Sequence, residues 1–494
     1  MKWIIYNLLF AAVYPFLLPG FLLRMLRRGG YAARMGDRFA LYPAGLFGND
    51  RPLFDSHQDF RRKTGDFIWI HAVSVGEVQV AGQLMREWRK VEPEVRFCFS
   101  TTSSTGWKIA EKELASLSHS TTPPLHHSTI QDVLIYNPLD FPNFVKSALR
   151  TVRPRAIVLT ESEIWPNFIL QVKKMGIPLF LINARVSDRS APRYKAAKWF
   201  FGDVLGCFTR IFAQSDLDKA RLVAAGAPEE KVEVTGSFKF DVARRNEAKE
   251  KELREWIFGD GDVPEVRTKI LLGGSTWPGE DEVLLKIYKN LRSQISNLKS
   301  ESRCSDLTLV IAPRHFEKAD AVEANIRKYG FACVRRSREA KVRGEGEQRK
   351  ELNSAVRLES SPSPKVFLAD TTGELMGLYG IADAVFVGKS LCAHGSQNMI
   401  EPCLCGKPTF VGPYTENFRP VMSDLLVSDA IVQVKDEGEL ERGIAELFAS
   451  LTSAEDGASP LNGDALALGA RAKAAVEKRR GVVSKCVSEI RSAL

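Results

Sequence analysis

Phe67-Ile-Trp-Ile-His71-Ala-Val-Ser74-Val-Gly-Glu77 is the stretch on which the fold turns. Its first half is an apolar, β-prone run of the kind that is buried on both faces of a sheet, and its second half switches to helix-start chemistry. A strand therefore runs into a turn and then a helix beginning near Val78, with Glu77 at the strand's carboxyl end, where a catalytic carboxylate belongs in an open α/β sheet. The same letters also read as a capping box. Ser74-x-x-Glu77 places a hydroxyl and a carboxylate where each satisfies backbone N–H groups at a helix start.

The pattern repeats outward from this point. Val95–Ser100, Val133–Tyr136, Ala156–Thr160, Pro178–Asn183, Ile211–Ala213 and Val232–Thr235 all read as short buried strands with helical stretches between them. Lys269–Leu272, Leu307–Ala312, Val366–Ala369, Ala384–Val387 and Thr409–Val411 form a second series. Alternating strand and helix is the signature of a parallel sheet covered on both faces. The expected fold class is α/β, with two tandem doubly wound Rossmann-like domains. Residues 41–245 form the first domain, 246–267 a charged linker and 268–494 the second, whose last helix can return to the first. A substrate held between two such domains is expected at the carboxyl ends of the strands.

Residues 1–40 stand apart as a membrane anchor with a basic flank. No charge occurs from Trp3 to Leu23, a run of about the 20 residues that cross a bilayer core. Arg24, Arg27, Arg28, Arg34 and Arg38 follow it, while only Lys2 precedes it, so the positive-inside bias leaves the rest of the chain in the cytoplasm, at the inner membrane. Pro15, Pro19 and Gly20 argue against a straight helix. The long apolar run and the lack of a small-residue cleavage site argue against a removable signal peptide.

Composition is ordinary for a globular chain of 494 residues, with 69 basic and 60 acidic side chains giving a net charge of +9. That excess suits anionic phosphates or lipids, and it selects no nucleic-acid motif. Eight cysteines are scattered without paired CxxC spacing, which excludes a disulfide framework and a structural zinc site. Three stretches lack periodicity and read as surface additions: Ser116–Thr129, Asn297–Asp306 and Arg335–Ser363. His119, His126 and His127 in the first have no acid or cysteine partners that would make a metal site.

Further candidate chemistry falls at other strand ends. Glu161-Ser-Glu163-Ile-Trp-Pro166 follows one strand and opens a helix, and an acid pair beside Glu77 suits general acid–base work. Lys239 in Gly236-Ser-Phe-Lys-Phe-Asp241 follows another. In the second domain Arg314, after Pro313, brings a charge that is never lost and that suits phosphate. Thr372-Gly373-Glu374 and Gly395-Ser-Gln-Asn398-Met399-Ile400-Glu401-Pro402 open helices with small residues, which lets backbone N–H groups approach an anion.

Taken together, these segments resemble the bacterial 3-deoxy-D-manno-octulosonic acid (Kdo) transferases, enzymes of the two-domain GT-B glycosyltransferase fold. The likeness runs through Gly30-Tyr-x-x-Arg34-x-Gly36, Trp69 to Glu77, Glu161 to Asn167, Asn183-Ala-Arg-x-Ser187, Gly236-x-x-Lys239-Phe-Asp241, Pro313-Arg-His315, Gly373-Glu-Leu375 and Asn398-x-x-Glu401-Pro. It implies inverting, metal-independent transfer of Kdo from CMP-Kdo, with no further cofactor, to a lipid A precursor at the inner membrane. Glu77 would be the general base, and Glu161 and Lys239 would stabilise the transition state. Pro313, Arg314, Thr372, Gly373, Glu374, Asn398, Met399, Ile400 and Glu401 would hold CMP. The chain departs from the family at Ser396, at Met399-Ile400 and at Trp277, where glycine, proline-leucine and histidine are common. A different GT-B enzyme acting on nucleotide sugars, another lipid-linked glycosyltransferase or an epimerase, is the rival reading. A membrane-tethered nucleotide binder without catalysis would have no use for Glu77 and Glu161.

Overall fold

The computed structural model describes residues 2–28, 32–47, 67–119, 132–242, 245–259, 268–297, 306–338, 364–453 and 462–494. The chain divides into two compact units, residues 1–242 with 481–494, and residues 243–480.

Unit 1 is built on a seven-stranded, all-parallel sheet. Its strands are β1 (Phe67–His71), β2 (Arg96–Thr101), β3 (Val133–Tyr136), β4 (Pro154–Thr160), β5 (Leu179–Ala184), β6 (Arg210–Ala213) and β7 (Val232–Val234), in the order β3-β2-β1-β4-β5-β6-β7. β1 and β5 are buried at every position, which is why they read as continuous apolar runs rather than alternating ones. The order reverses between β1 and β4, so the crevice beyond their carboxyl ends is the switch point where such sheets bind ligands. The C-terminal helix Val482–Ser492 belongs to this unit. It buries Val483, Cys486, Val487 and Ile490 in the same core as Ile68, Ile70 and the helix Val75–Val91. Asp241 holds its start by accepting the N–H groups of Gly481 and Val483, each at 2.8 Å.

Unit 2 repeats the plan with β8 (Thr268–Thr276), β9 (Asp306–Pro313), β10 (Ala332–Arg335), β11 (Lys365–Leu368), β12 (Ala384–Val387), β13 (Thr409–Val411) and β14 (Val432–Gln433). All seven are parallel in the order β10-β11-β9-β8-β12-β13-β14, with the switch point between β8 and β12.

Several expectations change. The stretch read as a linker over 246–267 is helical from Glu247 to Phe258, with Asn246 accepting the N–H of Lys249 at 3.1 Å. Its charged residues hide an apolar stripe, Leu253, Trp256 and Ile257, that is buried. The remainder, 260–267, lies outside the described residues. The addition read from Ser116 begins inside the helix Ser104–His119, and Asn297 ends the helix Glu280–Asn297. Arg335 closes β10, and residues 120–131, 298–305 and 339–363, with His126 and His127, lie outside the described residues.

The N-terminal segment forms one helix, Lys2–Arg28, that continues through Pro15 and Pro19. Among the described residues no helix is long and apolar enough to cross a membrane. One face of its first turns lies against unit 1. Trp3 and Tyr6 each meet Phe200 with ring centroids 5.5 Å apart, and Phe10 meets Phe141 at 5.1 Å. The Tyr6 hydroxyl donates to Asp140 at 3.1 Å, and Asn7 accepts from the Asn167 amide at 2.7 Å. On the other faces Ile4 is 65% exposed, Leu8 66% and Phe16 85%.

Candidate active site

In unit 1 the acidic residues gather at the β1/β4 switch point. Glu77 lies in the first turn of the helix Val75–Val91 and is only 7% exposed. The capping box is real: Ser74 Oγ accepts the Glu77 N–H at 3.3 Å and donates to Glu77 Oε1 at 2.8 Å. The other oxygen, Oε2, accepts the Val73 N–H at 3.0 Å and the Thr160 hydroxyl at 3.1 Å. Thr160 is the last residue of β4, so the contact crosses the switch point and does more than close a helix end. Cap and site are the same carboxylate, aimed by three groups.

Glu161 follows directly on β4 with φ of +51°, a left-handed conformation that residues other than glycine adopt uncommonly. Its carboxylate receives the Arg185 guanidinium at 3.0 Å and the Asn183 amide at 3.2 Å. Asn183, itself at φ +51° and fully buried, also accepts the Phe238 N–H at 3.1 Å, which ties β5 to the turn that carries Lys239. Burial raises the proton affinity of Glu161, with Arg185 and Lys239 opposing and Glu77 adding to it. Burial lowers that of Lys239, with Glu161 opposing. Glu161 thus feels both the charge of Glu77 and that of Lys239.

The sequence reading assigned no role to three neighbours. Arg185 and Asn183 stood in a quoted motif, yet nothing in spacing says they reach Glu161. His71, at the end of β1, is fully buried, and burial lowers its pKa to about 4, so the imidazole is neutral. Glu163 lies beside it, 3.8 Å from Nε2.

In unit 2 the candidate residues also fall at strand carboxyl ends. Pro313 closes β9, and Arg314 beyond it is exposed, with its N–H bonded to the Thr276 carbonyl at 3.0 Å. Asn398 donates to Glu401 at 3.0 Å and accepts the Ile400 N–H at 3.1 Å. Burial raises the proton affinity of Glu401, and Asn398 and Arg314 oppose this. Met399 and Ile400 are fully buried, and the Ile400 N–H is taken by Asn398. Thr372 and Gly373 are exposed after β11, whereas the Glu374 side chain is turned inward. It accepts from Thr371, from Arg336 at 3.0 Å and from Lys249 at 3.3 Å. Glu374 is therefore held within the protein, and what its turn offers an anion is backbone N–H.

A further residue of this edge was not legible beforehand. Glu280, fully buried, accepts the N–H groups of Trp277 and Lys389 at 2.8 Å, Ser390 and Leu391 at 3.0 Å and Cys392 at 3.4 Å. One carboxylate thereby fixes the loop after β12 against the loop after β8. Lys389, at φ +57°, lies 5.0 Å above the Trp277 ring, which meets His315 edge-on at 4.8 Å.

Two all-parallel doubly wound units follow one another along the chain, one with acids at its strand ends and the other with a basic, N–H-rich edge, and they define the class as two-domain α/β. In fold the chain is similar to the UDP-GlcNAc 2-epimerase of Neisseria meningitidis bound to UDP-GlcNAc, at 14% identity and a TM-score of 0.51, over 87% of this chain and all of that one. Residues 33–242 match the family model described as 3-Deoxy-D-manno-octulosonic-acid transferase (kdotransferase). The 3-deoxy-D-manno-octulosonic acid transferase of Haemophilus influenzae is 32% identical over 389 residues, 78% of this chain and 80% of that protein. A bifunctional glycosyltransferase/methyltransferase of Fusobacterium nucleatum is 28% identical over 403 residues, 81% of this chain, and the chain spans about half (55%) of that longer relative. The chain belongs to the Kdo transferase family and is a Kdo-transferring glycosyltransferase of lipopolysaccharide synthesis.

Proposed function

We propose that the protein transfers Kdo from CMP-Kdo to a lipid A precursor, with inversion at the anomeric carbon. The observation that carries this reading is the acidic cluster of unit 1, where Glu77 is buried and aimed by Val73, Ser74 and Thr160. In the step, Glu77 takes the proton of the acceptor hydroxyl as that oxygen bonds to the anomeric carbon. The bond from that carbon to the CMP phosphate oxygen breaks, and its electron pair leaves with CMP. General-base help of this kind is worth about 10²–10⁴ in rate. Glu161 and Lys239 hold opposite charges beside the reacting centre.

In unit 2 Pro313 and Arg314, the turn Thr372, Gly373 and Glu374, and the segment Asn398, Met399, Ile400 and Glu401 hold the donor. Charge builds on the departing phosphate, and Arg314 with the backbone N–H groups of these turns offsets it.

The anchor is read as one-sided. Trp3, Tyr6, Asn7 and Phe10 fix the N-terminal helix to unit 1, while Ile4, Leu8 and Phe16 stay exposed and suit the inner-membrane surface, with the catalytic units in the cytoplasm where the lipid acceptor is presented. Purified protein incubated with CMP-Kdo and a lipid A precursor should yield a lipid heavier by whole Kdo residues in the mass spectrum. An unchanged lipid overturns the proposal.

A further inference from the structure

Lys389 is the second residue beyond the end of β12, at the switch point of unit 2. Its φ of +57° is a left-handed conformation in which a side chain costs stability that glycine would keep. The surrounding backbone nevertheless pins it there. Glu280 Oε2 accepts its N–H at 2.8 Å, and its carbonyl accepts the Ser396 N–H at 2.7 Å. Gly388 before it packs so closely that a Cβ would fall 2.3 Å from the Ser275 carbonyl oxygen. The same Glu280 oxygen accepts the Trp277 N–H at 2.8 Å, so one atom ties the end of β8 to the loop after β12. Lys389 Nζ thereby comes to stand 5.0 Å above the Trp277 ring, which also meets His315 after β9. Three adjacent strands, β9, β8 and β12, thus each bring one side chain to this place. Among the described residues the Lys389 ammonium has no carboxylate or hydrogen-bond partner. An indole face attracts a cation without neutralising it, which leaves the charge for an anion.

We propose that Lys389, steadied by Trp277, determines specificity for an acidic sugar donor by binding the carboxylate of the sugar that is transferred. The inference rests on the reading of CMP-Kdo as the donor. That donor carries two anionic groups, a phosphate and the carboxylate of the sugar acid. Arg314 and the backbone N–H groups of unit 2 serve the phosphate. The carboxylate needs a cation of its own, because a carboxylate taken from water without a partner is costly. Lys389 stands at the switch point where doubly wound sheets bind ligands, and no acid of the protein takes up its charge. Its left-handed backbone is a strain of the kind found at ligand sites. A donor with a neutral sugar would leave the ammonium without its anion.

Lys389→Met keeps an apolar stem over Trp277 and removes the charge. It should lower kcat/KM for CMP-Kdo about 30-fold, the size of one charge-assisted hydrogen bond, while calorimetry shows CMP itself binding within about twofold of wild type. Lys389→Arg keeps a cation and should recover most of the loss. Lys389→Gly relieves the left-handed strain, so its melting temperature should hold or rise by about 2–4 °C even as its use of CMP-Kdo falls like that of Lys389→Met. A lysine that only supports the fold would not give that opposition of stability and activity. Equal weakening of CMP and CMP-Kdo in Lys389→Met would put the ammonium on the phosphate and overturn the carboxylate assignment. Unchanged kcat/KM in the methionine and glycine variants would overturn it as well. A wild-type protein that binds CMP but transfers nothing from CMP-Kdo would overturn the donor reading itself, a result distinct from either of these.

Discussion

Replacing Glu77 by glutamine separates the two roles of this carboxylate. In the wild type Oε2 takes the Val73 N–H and the Thr160 hydroxyl, and Oε1 takes the Ser74 hydroxyl. A glutamine with its carbonyl oxygen in the place of Oε2 keeps the first two contacts. Its amide nitrogen then faces Ser74 Oγ and donates to it. The Ser74 hydroxyl loses the acceptor of its own proton, and with the charge assistance of the other bonds the loss is about 1 kcal/mol. For a unit of this size that is a fall in melting temperature of roughly 2–4 °C. Proton transfer fares differently, because an amide does not take up the hydroxyl proton. Loss of a general base costs about 10²–10⁴ in kcat, or roughly 3–5 kcal/mol in the transition state. Single-turnover transfer followed by mass spectrometry of the lipid, with a melting curve on the same sample, measures both. A variant that keeps more than about a tenth of the wild-type rate would refute the base assignment, leave Glu77 as a helix cap, and move the base to Glu161 or Glu163.

Arg314→Ala should weaken CMP binding about 30-fold by calorimetry, from the loss of about 2 kcal/mol of charge-assisted hydrogen bonding; equal affinity would place the donor phosphate elsewhere. Asp241→Ala removes the acceptor of the Gly481 and Val483 N–H groups and should cost about 1–2 kcal/mol in denaturant unfolding, while Asp241→Asn should recover part of it. Changing the exposed Ile4, Leu8 and Phe16 together to serine should release the protein from anionic vesicles without lowering its melting temperature, since their burial in lipid is worth roughly 5 kcal/mol in sum. Retained vesicle binding would mean that another surface carries the membrane contact.

Fully buried parallel strands were the most legible part of the chain, because a segment covered on both faces is apolar throughout. β10 and β14 escaped notice: β10 is half-buried along its length, and β14 is two residues long at a sheet edge. The helix Glu247–Phe258 was obscured by its charges, which outnumber the three apolar side chains it buries. Glu77 and Glu161 stood out as acids at strand ends, a matter of order along the chain. Glu163 was visible as a neighbour of Glu161, but its hold on a proton comes from burial and from Glu77 across the switch point, neither of which is a sequence property. Glu374 shows the converse. Its motif suggested contact with the donor, yet Arg336 and Lys249, distant in sequence, turn its side chain into the protein.

The most direct test of the whole account follows both products of one reaction. Protein, CMP-Kdo and a lipid A precursor are mixed, CMP is counted by chromatography and the lipid is weighed by mass spectrometry at each time point. The account predicts one CMP released for every Kdo residue gained by the lipid, with both halted in Glu77→Gln. CMP released without any gain in lipid mass, or a lipid extended equally well by the Glu77→Gln variant, would contradict it.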